Sequence, residues 1–177
     1  MKKLFVFLCL TVFNFGYSQI VETAYFPKNE IKGNALMLVT GALEVTYERI
    51  LNEESGLGVS LFVPYDNTNY GTKVSLSPYY RFYFGKKPAA GFFAEGFGML
   101  DSYTQEASSG SLFTNYSGPT KDVTDFALGF GIGGKWITKK GFVFEINGGI
   151  GRNLFNSNHT DYQIVGRGGI TLGYRFK

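Results

Sequence analysis

The sequence predicts an all-β fold, an eight-stranded antiparallel up-and-down transmembrane β-barrel preceded by a cleavable signal peptide. Three observations predict it. The last ten residues place Ile170, Leu172, Tyr174 and Phe176 on one face of a strand and Gly169, Thr171, Gly173 and Arg175 on the other. That is the two-residue period of a membrane strand, with an apolar row toward lipid and a small or polar row toward a lumen. The N-terminus runs from basic Met1-Lys2-Lys3 through apolar Leu4–Phe15 to Gly16-Tyr17-Ser18, the order of a secretory signal with small residues where a signal peptidase reads. Between these ends, turn residues divide the chain into eight alternating segments.

The signal segment assigns residues 1–18, with a mature start at Gln19 or Ile20. Its apolar run is too short for a spanning helix, and no later stretch approaches the roughly 20 continuous apolar residues one needs. Cys9 sits inside that run behind Phe7-Leu8 rather than after small residues, which argues against lipoprotein processing. Residues 19–30 read as a short periplasmic segment and 31–177 as the barrel.

The predicted strands are Ile31–Val39, Ala42–Ile50, Gly56–Tyr65, Thr72–Phe84, Ala89–Leu100, Asp125–Ile137, Phe142–Asn153 and Tyr162–Phe176. With the N-terminus in the periplasm, the second, fourth and sixth connections are tight charged turns on that side. The longer ones, led by Asp101–Thr124 and then Leu154–Asp161, face outward. Short periplasmic turns with longer external loops are the arrangement of small outer-membrane barrels.

Alternation tells which side chains face lipid. Leu43, Val45 and Tyr47 form one row; Leu57, Val59, Leu61 and Val63 another; Phe126, Leu128, Phe130, Ile132 and Trp136 a third. No charge interrupts these rows, as expected where a mid-bilayer Lys or Arg would cost about 2–4 kcal/mol. The segment 89–100 gives the thinnest apolar row. Aromatics such as Tyr47, Tyr65, Phe84, Trp136, Phe142, Tyr174 and Phe176 fall near strand ends, where interfacial girdles sit.

Charges collect on the opposite rows. Glu44, Glu48, Glu95 and Glu145 share the inward phase with Lys73, Arg81, Lys135, Arg167 and Arg175. Eight strands leave an interior just wide enough for side chains to fill, so these groups are expected to pair as an ionic network that plugs the lumen rather than lines a pore. Inward glycines at 129, 131, 133, 149, 151, 169 and 173 leave room for long side chains from the opposite wall.

Removing residues 1–18 takes away two lysines and the single cysteine, lowering the net charge from +3 to +1. Disulfides and thiol catalysis are thereby excluded from the mature chain, and a nucleic-acid partner would require a strongly basic surface. Aromatics at 18% and 24 glycines in 177 residues, against about 7% glycine in an average protein, favour many strands and tight turns.

The segment Gly41–Arg49, followed by Gly56–Tyr65, Ser77–Gly85 and Gly91–Gly98 (GALEVTYER, GLGVSLFVPY, SPYYRFYFG and GFFAEGFG), resembles a family of small outer-membrane β-barrel proteins of unknown function, broadly similar to OmpA/OmpX-type barrels. The resemblance covers essentially the mature chain and implies membrane insertion with no established reaction. Many such barrels end on an aromatic residue, whereas here Lys177 follows Phe176.

Several motif matches carry little. Gly129–Gly134 satisfies a dinucleotide pattern, but it runs into Lys135-Trp136-Ile137 within a strand and opens no helix. Asn115-Tyr116-Ser117 and Asn158-His159-Thr160 fit a common sequon, and Asp66–Asn69 lacks the remaining ligands of a calcium loop. His159, beside Ser157, Thr160 and Asp161, is the one catalytic candidate. Neighbours in sequence do not make a triad. No catalytic, metal or cofactor residue is assigned.

The reading is a monomeric, non-enzymatic integral outer-membrane protein of a Gram-negative bacterium, structural or surface-interactive through its external loops. Its expected partners are outer-membrane lipid, the barrel assembly machinery through the C-terminal strand, and an unidentified extracellular ligand. The alternatives are an outer-membrane lipid-modifying enzyme using His159 and a soluble secreted ligand-binding β-barrel.

Overall fold

The structure, a computed structural model, describes residues 26–66, 70–106, 120–155 and 163–177. Eight strands close on themselves in sequence order: β1 (Asn29–Asn34), β2 (Ala42–Ile50), β3 (Ser55–Pro64), β4 (Thr72–Tyr83), β5 (Gly91–Glu106), β6 (Thr120–Ile137), β7 (Phe142–Asn153) and β8 (Ile164–Phe176). Every neighbouring pair is antiparallel, and β1 closes the barrel against β8 from Asn29↔Phe176 to Asn34↔Thr171. The β1–β8 seam is strand-paired over Thr171–Phe176 only; from Ile164 to Ile170 the helix that follows β1, and not a strand, stands beside β8 among the described residues. Among the described residues no helix is long and apolar enough to cross a membrane.

The tight turns explain the common end. Thr138–Gly141 closes the β6–β7 hairpin with Thr138 N–H donating to Phe142 O at 2.9 Å and Gly141 N–H to Thr138 O at 3.0 Å. Gly141 has φ 90°, a left-handed value that favours glycine. Its carbonyl accepts from Arg175 N–H at 2.8 Å, tying the turn to β8.

Beyond shifts of one or two residues at several strand ends, three features differ from the sequence reading. The first strand begins at Asn29 and stops at Asn34, where a one-and-a-half-turn helix, α1 (Ala35–Thr40), replaces the expected continuation to Val39. Asn34 caps it, its side chain accepting from Leu36 N–H at 3.2 Å and Met37 N–H at 3.3 Å. Gly41, at φ 103°, terminates it in the left-handed conformation. Ala-Leu-Met-Leu is as good a helix sequence as a strand one, and the caps decide.

Second, β5 and β6 continue past the expected ends at Leu100 and Asp125, pairing as far as Glu106↔Thr120. The 16 residues of β5 span about 53 Å at roughly 3.3 Å each, more than a hydrocarbon core of about 30 Å even when tilted. The hairpin therefore extends beyond the apolar belt, where neither face needs an apolar row. That is why composition alone read it as loop.

Third, the register of β4 against β5 shifts between Thr72 and Val74, a bulge that places Lys73 outside the alternation. Pairing of β4 with β5 also lapses across Ser77 and Pro78, consistent with the missing proline N–H.

The outer face is apolar. Leu43, Leu61, Phe82, Phe130, Ile132 and Leu172 are among its exposed hydrophobic side chains. Outward aromatics concentrate toward the tight-turn end, in ring pairs Tyr80–Phe82 at 4.9 Å, Phe84–Phe92 at 5.9 Å, Trp136–Phe144 at 5.5 Å and Phe142–Tyr174 at 5.6 Å. Tyr65 stands at the opposite end, its hydroxyl donating to Leu38 O at the end of α1.

Candidate functional site

The inward side chains of the tight-turn half converge on the barrel axis. Glu30, Glu48, Glu95 and Glu145 meet Lys32, Arg81, Lys135 and Arg175, with none of these eight side chains more than 4% exposed. A lone buried charge costs several kcal/mol, roughly what an unpaired member of such a set would incur. Here each has an opposite charge in reach.

Glu48 is the hub. Its Oε2 accepts from Lys32 Nζ at 2.6 Å, Tyr79 OH at 2.9 Å and Arg81 Nη1 at 3.2 Å. Its Oε1 accepts from Lys135 Nζ at 2.9 Å and also from the Tyr83 hydroxyl. Glu145 accepts from Lys32 at 2.9 Å and lies 2.9 Å from Arg81 Nη1, while Asn147 donates to its Oε1 at 3.0 Å. Arg81 Nε donates to Glu95 at 2.6 Å, across a β4–β5 register pair.

Arg175 anchors the lower rim. Its Nε donates to Glu30 Oε1 at 2.7 Å, and its two terminal nitrogens donate to Pro88 O at 2.8 Å and Ala89 O at 2.7 Å. Charge, backbone carbonyls and the β4–β5 turn are thus joined, a set of charge-assisted bonds stronger than neutral ones. Aromatic faces complete the filling: the Arg81 guanidinium lies 4.3 Å from the Tyr79 ring centre and 4.2 Å from that of Phe93.

Glycines in the wall admit this bulk. A methyl at Gly58 would stand 2.3 Å from Tyr79 Cζ, one at Gly133 2.4 Å from Phe93 Cζ, and one at Gly173 2.5 Å from Lys32 Cγ. Aromatic rings as well as charged chains therefore occupy the room that inward glycines create.

Of the nine positions the sequence singles out, Glu48, Arg81, Glu95, Lys135, Glu145 and Arg175 come together in this cluster. Arg167 lies at its edge, Nη1 3.6 Å from Glu95 Oε1 and Nη2 donating to Ser60 Oγ at 3.1 Å. Glu44 is apart from the cluster, accepting from Asn34 Nδ2 at 2.6 Å. Lys73 is not in the lumen: the β4 bulge turns it out, and its Nζ pairs with Asp122 at 2.7 Å with both side chains more than half exposed.

Glu30 lies one residue before the expected start of the first strand at Ile31, and Lys32 lies within that strand, whose inward row the sequence reading does not assign. The alternation Glu30-Ile31-Lys32, with a single apolar residue between opposite charges, is the signal that could have found them. Among the described residues there is no group of three or more His, Cys, Asp or Glu side chains arranged to hold a metal. Residues 1–25, Asn67–Asn69, both sequon asparagines, His159 and its neighbours Ser157, Thr160 and Asp161 lie outside the described residues, as does most of the Asp101–Thr124 connection. Gly129–Gly134 lies within β6.

An apolar exterior around a charged, side-chain-filled interior, on a closed up-and-down sheet of eight strands, is the architecture of a small membrane-type β-barrel. Among solved structures the chain is similar to the N-terminal β-barrel domain of Pseudomonas aeruginosa OprF. The TM-score is 0.60 at 14% identity, over 85% of this chain and 98% of that domain. The likeness is one of fold. No family model and no curated protein matches the chain.

Proposed function

We propose that the protein is an integral outer-membrane β-barrel whose lumen is closed by its ionic core, and whose role is structural or interactive through the hairpins at the end opposite the tight turns. One observation carries the reading. Exposed and buried chemistry are inverted relative to a water-soluble barrel, with side chains such as Phe130 and Ile132 outside and Glu48, Arg81 and Lys135 fully buried within.

Water would oppose that arrangement at every outward apolar residue, by about 25 cal/mol per Å² of apolar surface. Lipid makes it favourable. The OprF-like fold supports the same location, and the long β5–β6 hairpin supports an outward-reaching element. A non-enzymatic role agrees with a lumen whose charges are committed to one another.

Fractionation tests this reading. The mature protein should sediment with outer membranes and resist carbonate extraction. Recovery as a soluble periplasmic or secreted species would overturn it.

A further inference from the structure

The outward row of β7 runs Phe142, Phe144, Ile146, Gly148, Ile150 and Arg152, and the arginine is the one charge in it. Arg49, Arg81, Arg167 and Arg175 each have a carboxylate or amide partner. Arg152 is exposed and makes no ion pair among the described residues. Its register partners are Leu128 on β6 and Ile164 on β8, so no acid stands beside it on either neighbouring strand. An outward guanidinium on an apolar face is costly within the hydrocarbon and favourable at its edge, where long basic side chains reach the head groups.

The strand geometry puts Arg152 at that edge. From Phe142 to Arg152 the chain rises about 33 Å at roughly 3.3 Å per residue, which is about 25 Å along the bilayer normal at a strand tilt of about 40°. The apolar band of an outer-membrane barrel is also about 25 Å tall. With Phe142 at the tight-turn boundary, Arg152 therefore meets the opposite one, at the level of lipid head groups.

Directly below Arg152, the register pair Phe130 and Ile150 opens an apolar groove on the outer β6–β7 face. It runs past Ile132 and Gly148 to Phe92 and Trp136. Gly148 keeps it open, since a methyl built there would meet nothing within 4 Å. Between Phe130 and Trp136 the groove covers about 20 Å of strand, about 15 Å along the normal at the same tilt. That is half of a hydrocarbon core of about 30 Å, the depth of one leaflet.

We propose that this face holds one anionic lipid, its phosphate on Arg152 and one acyl chain along the groove. The unpaired guanidinium sets the charge of the head group, and its planar fork suits two phosphate oxygens at once. The groove beneath sets the rest of the molecule: a free phosphate would use the arginine and leave the groove to bulk lipid, whereas an amphiphile uses both. The site thereby selects among membrane lipids rather than merely tolerating them.

The proposal rests on the outer-membrane reading, yet the two fail separately. A barrel that resists carbonate extraction but shows no lipid preference keeps the membrane location and loses this site. The test uses the folded full-length mature barrel in a nonionic maltoside detergent. It is mixed with dimyristoylphosphatidylglycerol, with zwitterionic dimyristoylphosphatidylcholine of the same chains, or with glycerol 3-phosphate, and native mass spectrometry reads the retained adducts. The expected result is one retained phosphatidylglycerol, about threefold or more above phosphatidylcholine at equal concentration, with no retained glycerol phosphate. Arg152→Gln should lower phosphatidylglycerol to the level of phosphatidylcholine, and Arg152→Lys, which keeps the charge, should stay above the Gln variant. Gly148→Leu, which fills the groove, should lower retention of both lipids about threefold or more, with heat-modifiable gel migration reporting folding throughout. Should that variant fail to fold, the Arg152 variants decide alone. Equal retention of the two lipids, a preference unchanged in Arg152→Gln, full lipid retention in folded Gly148→Leu, or glycerol phosphate held as well as lipid would each overturn the proposal.

Discussion

Glu30 and Glu48 stand directly opposite each other on β1 and β2, both with no exposed surface, and Lys135 Nζ from β6 lies 2.8 Å from the first and 2.9 Å from the second. Like charges across a strand pair destabilise a sheet on their own. One lysine crossing the lumen converts that repulsion into a bridge between non-adjacent walls. The same logic orders the expected mutational effects.

Replacing Glu48 by Ala would leave Lys32, Lys135 and Arg81 short of a carboxylate and Tyr79 and Tyr83 without an acceptor. A loss of about 3–5 kcal/mol is expected, as for breaking a buried pair. Glu95→Ala and Glu145→Ala should follow. Glu44→Ala should cost least of the four, because it releases an amide rather than a cation. Urea unfolding in detergent measures the order, and equal small effects at all four would contradict the network.

Lys73→Ala provides the contrast. Its partner Asp122 is 63% exposed, so the change should stay within about 1 kcal/mol, the range of surface pairs. A loss comparable to that of Glu48→Ala would show that Lys73 belongs to the interior after all.

The difference between those two residues shows what the sequence could carry. Alternation located the outward apolar rows and most of the buried charges, because the period of two puts apolar and charged side chains on opposite faces of each strand. A one-residue bulge is invisible to that rule, and Lys73, adjacent to it, was read on the wrong side. Asn34 and Gly41 are ordinary turn residues until their capping geometry is seen, so α1 read as strand. Past Leu100 the β5–β6 hairpin carries no lipid-facing pattern to read. The cavity at the α1 end of the lumen was not legible, since its lining comes from seven separate stretches of chain brought together only by closure.

The lipid face gives a third expectation. Ile132 is outward and 57% exposed. Ile132→Arg should lower folding stability in lipid vesicles by about 2–4 kcal/mol if it sits near the midplane, and by less in detergent, whose micelle adapts. Unchanged stability in lipid would mean that this face does not meet the bilayer core.

Packing at the wall glycines gives a fourth. Gly58→Ala sets a methyl 2.3 Å from Tyr79 Cζ and 2.8 Å from the Tyr47 carbonyl oxygen, and the backbone cannot yield as a flexible side chain does. A cost of about 1–3 kcal/mol is expected from overpacking. Gly96→Ala, where nothing lies within 4 Å, should be nearly neutral. Similar losses at both positions would argue against close luminal packing.

A filled lumen predicts no steady large conductance when the barrel is inserted in planar bilayers, because Glu30, Lys32, Glu48 and Lys135 occupy the axis without exposed surface. Sustained ohmic currents of porin size would contradict closure while leaving insertion intact.

The most direct test of the inverted barrel uses Trp136, the single tryptophan of the chain, which points outward at 55% exposure near the tight-turn end. Its fluorescence would be recorded in vesicles whose lipids carry bromine at defined acyl-chain depths, with acrylamide as the aqueous quencher. Blue-shifted emission, strong quenching by brominated chains that is greatest at shallow depth, and protection from acrylamide are expected. Water-like emission quenched by acrylamide and indifferent to bromine would contradict the inverted barrel.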